Sequence, residues 1–499
     1  MRLLPRALPL LLSATLLAGC GTNVVNPVTG QTERSVMSEQ DEIAEGKKAH
    51  AEVLKEYGAY PDAKLQAYVN DLGQRLAAQS HRANLKWTFT VLDSPEINAF
   101  ALPGGYVYVT RGIMAYLDSE AELAGVIGHE IGHVTARHGA QRATRQQTAG
   151  LGVLAATVLG AVIEGATGVS GAADLASQVS QTAAAGYIAS YSREQESQAD
   201  QLGAEYLARN RYNPRNMVEV IQVLKNQESF AAEAAKADGR PEPSAGGWLA
   251  SHPANDKRLA DIKSYATKYS GQYGDDARAR YLQAVDGMTF GDSREQGVVR
   301  GRNFYHEPLG IALTAPPGWK VQNSAEAIVL VNGEGNAGLI VKLVPPNAGS
   351  THEEIIRNAI KPVDGRTERR SINGLTATQF TGTVRNQQGQ TGQVRLTLVA
   401  GPGNRNYLLQ YAAKDATTLQ RASGQMAEAE NSFRALTAAD RAAARPWEVK
   451  TVAFPRGGFA ELARGLPLPD LAESRLKLLN GVYGGGAEPK PGQLVKTVR

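Results

Sequence analysis

Apolar positions recur at helical spacing in the first part of the chain. Residues 38–57 have a helix-favouring composition that stops at Gly58, and after Pro61 the residues Leu65, Tyr68, Val69, Leu72 and Leu76 share one face of a second helix. The period then changes to two. Residues 87–91 alternate like a half-buried strand, and 106–109 read as another after the turn residues Pro103, Gly104 and Gly105. A helical pattern returns with Leu123, Val126, Ile127 and Val134, and Ser119 and Glu122 have capping-box spacing at its start. Gly125, Gly128 and Gly132 lie inside this helix, each costing roughly 1 kcal/mol against alanine, and close approach of a backbone or a substrate would compensate.

Further on, the apolar, Gly/Ala-rich run 149–163 is shorter than the ~20 residues that span a bilayer and reads as a packed hairpin or a flap over a cleft. Residues 271–302, rich in glycine, arginine and aspartate, read as a connector whose 281–285 segment packs against the preceding domain. Strand-like runs follow at 310–313, 327–331, 338–343, 393–399 and 406–411, with one helix from Thr351 and another near Leu419. The tail has a strand at 449–454, helical stretches at 459–464 and 471–479, and then the stretches 479–482 and 490–496. The expected class is α+β. A mainly helical domain with a small sheet (38–270) precedes the linker (271–302), an α/β domain (303–440) and a small βααβ module (447–499).

With 499 residues, 42% hydrophobic and 20% charged, the composition is that of a globular chain with room for two to four domains. A formal charge of +4 gives no sign of nucleic-acid binding. The single cysteine, Cys20, leaves no intramolecular disulfide and no thiolate cluster, so a metal would have to rely on histidine and carboxylate. Arg2 and Arg6, the apolar run 7–17 and the sequence Leu17-Ala18-Gly19-Cys20 resemble the lipobox of bacterial lipoproteins. That resemblance implies removal of residues 1–19, lipidation of Cys20 and a tether over 20–37. Gly21 stands where many such lipoproteins carry the aspartate associated with inner-membrane retention, which points to the periplasmic face of the outer membrane.

The chemistry centres on His129-Glu130-Ile131-Gly132-His133. On a helix, His129 and His133 lie on one face a turn apart, where both reach one zinc ion, and Glu130 lies beside it, placed to take a proton from water. Catalytic zinc takes three protein ligands and keeps an open position. A metzincin extension fails, since Ala136 and Gly139 occupy its glycine and histidine positions; His138 is one residue off and reads as a helix-end histidine. The other source is the segment 192–200, where Glu196 and Asp200 share a helical face and Glu194 points elsewhere.

The run Asn98-Ala99-Phe100-Ala101-Leu102-Pro103-Gly104-Gly105-Tyr106-Val107-Tyr108-Val109, followed by the two-histidine motif, resembles the M48 family of zinc metallopeptidases over about 26–269. The resemblance implies a zincin of the gluzincin type with one Zn2+ per chain, Glu196 as third ligand and Asp200 behind a ligand histidine. His252, with Pro253 and Arg258 after it, resembles the family's His-Pro motif. It would lie near the metal, stabilising the oxyanion or filling the fourth position in a closed state; the sequence does not choose. Arg258 would pair with a carboxylate or touch substrate. Asn98 and the strand of Tyr106, Val107 and Tyr108 would hold substrate backbone.

The implied activity is endopeptidase cleavage of misfolded or unassembled envelope proteins. The competing implication is a latent, chaperone-like or scaffolding lipoprotein. Residues 303–440, with Ala315-Pro316-Pro317-Gly318-Trp319, resemble PsbP/Mog1-like domains and carry no catalytic motif. Residues 447–499 resemble a degenerate LysM module, implying peptidoglycan contact, though Gly457-Gly458-Phe459 replaces the usual Gly-Asp-Thr.

Overall fold

The computed structural model describes residues 22–148, 191–237, 252, 256–269, 271–324, 326–385, 391–468 and 471–499. The leader, Cys20 and the run 149–163 lie outside these residues. No helix among the described residues is long and apolar enough to cross a membrane.

The described residues begin with a hairpin inside the segment expected as a tether: β1 (Thr22–Val25) pairs antiparallel with β2 (Thr32–Ser35). Helix α1 (Glu39–Tyr57) starts on a reciprocal cap, in which the Ser38 hydroxyl accepts from Asp41 N and the Asp41 carboxylate accepts from Ser38 N at 2.9 Å. Helix α2 (Ala63–Ala78) starts on Asp62 and buries the expected stripe of Leu65, Val69, Leu72 and Leu76. The strands β3 (Thr88–Leu92), β4 (Ala99–Leu102) and β5 (Tyr106–Thr110) form a small sheet in the order β3-β5-β4. Strand β5 is parallel to β3 and antiparallel to β4.

Helix α3 (Arg111–Tyr116) leads into α4 (Glu120–Thr135), which carries the two-histidine motif and is buried along its whole length. The Ser119 hydroxyl caps α4 by accepting from Glu122 N at 3.1 Å. The Glu122 carboxylate accepts from Asp118 N instead of closing the expected reciprocal box. Then come α5 (His138–Thr148), α6 (Arg193–Arg209), α7 (Asn216–Ala237), α8 (Asp256–Lys268) and α9 (Arg278–Val285). Helices α4 and α6 pack backbone to backbone, which is what the glycines of α4 allow. A Cβ on Gly203 would stand 3.1 Å from His129 N, and one on Gly132 would stand 3.0 Å from Ala199 O.

Within residues 271–302, the segment 281–290 packs into the first core. Helix α9 buries Tyr281, Leu282 and Val285, and β6 (Thr289–Phe290) is tied to the Asp93–Arg111 ion pair through Arg111 Nη1 donating to Thr289 O. The short β7 (Val298–Arg300) begins a second body of strands. There β8 (Asn303–His306) and β9 (Ile311–Thr314) precede β10 (Lys320–Asn323), β11 (Ile328–Val331) and β12 (Ala337–Leu343). Helix α10 (His352–Ile360), β13 (Asp364–Ile372), β14 (Leu375–Arg385), β15 (Thr391–Gly401), β16 (Arg405–Ala413) and α11 (Ala416–Asn431) complete it. Seven strands make one antiparallel sheet in the order β10-β11-β12-β16-β15-β14-β13. The polar strand β13, which pairs with β14, has no apolar signal. Its mark is Asn373-Gly374, both at positive φ (48° and 81°), the turn that the twist of a two-residue hairpin favours.

After β17 (Arg434–Ala435) and α12 (Ala438–Ala443), the chain ends as β18 (Trp447–Ala453), α13 (Gly458–Leu462), α14 (Ala472–Leu479) and β19 (Leu494–Val498), the expected βααβ order. Strand β18 pairs with β19 on one side and with β6 on the other. Phe459, Leu476, Val495 and Val498 belong to the same apolar cluster as Leu65, Ile127 and Ile221. Lys496 is fully buried, and its ammonium donates to Ala115 O at 2.9 Å and to Leu117 O beside the start of α4.

A shared core has a measurable consequence. Leu476→Ala removes a fully buried side chain from α14, which packs on α7 and α3, at a cost of about 2–5 kcal/mol. Amide exchange along α4 should accelerate with it; unchanged exchange there would mean that the C-terminal unit folds independently of the first core.

Candidate metal centre

Helix α4 presents His129 and His133 on one face, with Nε2 atoms 3.0 Å apart and both rings buried. Helix α6 begins on Ser192, whose hydroxyl accepts from Gln195 N while the Gln195 side chain accepts from Ser192 N. The glycine contact with α4 brings the first turns of α6 over the imidazoles. Glu196 Oε1 lies 3.5 Å from His133 Nε2, and Asp200 Oδ1 lies 2.9 Å from His129 Nδ1. His252 completes the group: its Nδ1 is 2.9 Å from Glu196 Oε1 and 3.2 Å from His129 Nε2, and its Nε2 is 3.6 Å from Glu130 Oε1. One donor atom from each of His129, His133, Glu196 and His252 falls within 4.8 Å of the others.

Burial drives the electrostatics. It lowers the proton affinity of His129, and that of His133 and His252 well below the ordinary histidine value; for His133 the neighbouring imidazoles add to the effect. It raises the Glu196 carboxyl to about 7 against the pull of Arg258 and His129. Burial would raise Asp200 as well, but the Arg258 guanidinium and His129 hold it down to about 2. Neutral imidazoles and a carboxylate crowd their lone pairs around one buried point, an arrangement that repels itself unless a cation sits there. Three nitrogens and one oxygen at tetrahedral reach suit zinc, and the absence of thiolate fits a borderline N/O site.

Arg258, on α8, is a strut. Its Nε and Nη2 grip the two Asp200 oxygens at 2.7 and 2.8 Å, and its Nη1 reaches Glu196 Oε2 at 2.8 Å and His252 O at 3.0 Å. Of the two roles expected for it, the carboxylate-pairing one matches this geometry; the side chain is buried behind the donors. The expected substrate strand needs a correction. Tyr106, Val107 and Tyr108 lie on the central strand β5, whose two edges are taken by β3 and β4, so they have no free main-chain groups to offer a peptide. Tyr106 and Tyr108 stack on His50 and help build the core under α1. The sheet has two edge strands, β3 and β4; the outer edge of β3 is taken in part by residues 58–60 and the Gln66 side chain, and β4 is the other, with Asn98 immediately before it and hydrogen-bonded to Thr110. A cleft runs from His133 along that strand, walled by Ala101, Leu102, Pro103, Val134 and Tyr191, with Tyr191 stacked on the His133 ring at 3.9 Å.

His138 has more to do than end a helix. Helix α4 stops at Ala136, Arg137 takes a left-handed φ of 56°, and the chain turns so that His138 opens α5 facing back. Its Nδ1 lies 2.8 Å from His133 Nδ1 and its Nε2 lies 3.1 Å from Gln198 Oε1. Burial pushes its proton affinity down to about 4. Only its spacing from His133 could have flagged it, because no apolar period runs through that corner.

Residues 63–266 match the family model described as Peptidase family M48. Among curated proteins, the chain is 28% identical over 317 residues to a beta-barrel assembly-enhancing protease of Yersinia pestis, covering 58% of this chain and 61% of that one. It is 29% identical over 211 residues to the protein of that name in Escherichia coli K12, covering 42% and 40% respectively. It is also 29% identical over 224 residues to the mitochondrial metalloendopeptidase OMA1 of Schizosaccharomyces pombe, covering 44% and 58%. The chain thus spans between two fifths and about three fifths of the length of these relatives. A solved cyanobacterial PsbP from Synechocystis matches 28% of the chain and 98% of its own, at 12% identity and a TM-score of 0.20.

Proposed function

We propose that the chain, whose residues 63–266 match the model of peptidase family M48, is a member of that family and a zinc-dependent endopeptidase of the bacterial cell envelope. The observation that carries the reading is the convergence of His129, His133, Glu196 and His252 on one buried point beside Glu130. His129, His133 and Glu196 are the ligands of the active form. Zinc held there supplies Lewis acidity to a peptide carbonyl and brings the pKa of water to about 7. The remaining work falls to the protein. Glu130 accepts the proton of the attacking water and passes it to the leaving amine. Asp200 accepts from His129 Nδ1–H and so keeps the Nε2 lone pair on the metal side. A substrate strand pairs with the open edge of β4 by main-chain hydrogen bonds, its side chains reaching the cleft beside Tyr191.

The envelope placement rests on the lipobox-like leader ending at Cys20, and the substrate class is misfolded or unassembled envelope proteins, the class suggested by relatives named for β-barrel assembly. Lipid on Cys20 holds the chain at the periplasmic face of the outer membrane. We read the C-terminal βααβ unit as a cap of the peptidase rather than a glycan reader, because its apolar side chains face the shared core.

His252 favours a resting state that is closed. Its ring stands among the donors, and Arg258 anchors its carbonyl to Asp200. The fourth position is then occupied by the protein, and cleavage waits on withdrawal of His252. This is the form in which the chain would hold clients without cutting them. The discriminating variant is His252→Ala. Cleavage of an unfolded outer-membrane protein should rise about tenfold, a shift of roughly 1.4 kcal/mol toward the open form, with zinc content unchanged. A loss of cleavage with zinc retained would assign His252 to oxyanion stabilisation instead.

A further inference from the structure

The two ligand histidines of α4 are backed differently. His129 Nδ1 faces a carboxylate, that of Asp200, which can only accept. His133 Nδ1 faces another neutral ring nitrogen, His138 Nδ1, at 2.8 Å, and a pair of imidazole nitrogens can share a proton with either polarity. If the proton sat on His138 Nδ1, His133 would carry its own on Nε2, the atom turned toward His129 Nε2 and Glu196. Something must decide the direction.

The decision is made outside the helix pair. Asn26, in the turn of the N-terminal hairpin, is buried, and its Oδ1 accepts from the backbone N–H groups of Val28 (2.9 Å) and Thr29 (3.2 Å). Backbone amides can only donate, so the Asn26 amide cannot turn over. Its Nδ2 therefore donates, to Glu33 Oε1 at 2.9 Å and to Gln198 Oε1 at 3.1 Å. Gln198 is thereby held with its oxygen toward the site, where the same Oε1 stands 3.1 Å from His138 Nε2. An oxygen there requires His138 to carry its proton on Nε2 and to accept at Nδ1. His133 must then donate from Nδ1 and keep Nε2 as a lone pair. The hairpin is braced further by Gln141 donating to Glu33 Oε2 at 2.7 Å and by Gln195 donating to Gln141 Oε1 at 2.8 Å.

We propose that Asn26, Gln198 and His138 are positioning residues that fix His133 as the tautomer able to bind metal, with the polarity set by the backbone of the N-terminal hairpin. The inference rests on the reading of His133 as a zinc ligand. Metal ligands need a partner on the other ring nitrogen, and losing such partners lowers affinity by about 10–100-fold.

Three substitutions separate polarity from simple bracing. Asn26→Asp, made in a Glu33→Gln background so that no second carboxylate stands 2.9 Å from it to share a proton, places an acceptor opposite Gln198 Oε1, so the Gln198 amide turns over. His138 then meets a donor at Nε2, shifts its proton to Nδ1, and drives the His133 proton to Nε2. Gln198→Glu keeps two acceptors and preserves the direction. Asn26→Ala removes the constraint without reversing it. The test uses the full-length chain, with zinc affinity measured by chelator competition and histidine tautomers read from 15N shifts in metal-free protein. Expected are a loss of about 10–100-fold for Asn26→Asp, a smaller loss for Asn26→Ala, and affinity within about threefold of the starting chain for Gln198→Glu. The His133 tautomer should be inverted in Asn26→Asp alone. Equal affinity and an unchanged His133 tautomer in an Asn26→Asp protein that melts like the parent would overturn the inference, as would equal losses for all three. Should the parent chain bind no zinc, the metal reading falls by itself, while the tautomer measurement still decides the polarity.

Discussion

Glu130→Gln is expected to lower cleavage of an unfolded envelope protein by about 10²–10⁴-fold while zinc stays bound. The carboxylate is fully buried, follows a ligand histidine on α4, and lies 3.6 Å from His252 Nε2, so its position is set by the same helix that sets the ligands. An amide of the same shape fills the space but cannot accept a proton from water, so binding of metal and of substrate should survive and turnover should not. Retained zinc with lost turnover is the diagnostic pair; a variant that cuts at the parent rate would remove Glu130 from the reaction.

Glu196→Gln should act on the metal itself. Among the converging donors Glu196 is the one carboxylate, and the other three are imidazoles kept neutral by burial. Taking one charge from a buried pair leaves the other without its partner, at about 3–5 kcal/mol, or roughly 10²–10⁴-fold in zinc affinity. Arg258 still holds Asp200 through two hydrogen bonds, so the fold around the site should persist. Chelator competition measures the loss directly, and a melting curve of the metal-free variant that overlays the parent's would show that the effect is on the metal and not on folding. Unchanged zinc affinity would mean that the third ligand lies elsewhere.

Much of the centre was legible because its signals are local. The four-residue step from His129 to His133 and from Glu196 to Asp200 is a helical period, and Gly128, Gly132 and Gly203 mark where two helices touch. What was missed depends on contacts across the chain. Strand β4, Ala99–Leu102, is buried on both faces, so it shows no alternation, whereas the clearer strand pattern at 106–109 draws the expectation of a free edge to β5, which lies between β3 and β4. Residues 22–35 look like a tether because the strands are short and polar; the buried face of Asn26 exists only once α6 is beside it. Lys496 sits in the interior against the end of α3, a contact across the chain that no local pattern marks. In the strand-rich part, five apolar runs marked strands correctly, and the polar edge strand β13 escaped because an edge that avoids association is written in charge rather than in hydrophobicity.

The most direct test is a comparison of His252→Ala with the double variant His252→Ala/Glu130→Gln, both zinc-loaded, with new peptide termini in an unfolded outer-membrane protein counted by mass spectrometry. The closed zinc-peptidase account expects abundant new termini from the single variant and a loss of about 10²–10⁴-fold in the double. No cleavage by the single variant with zinc bound, or equal cleavage by both, would contradict it.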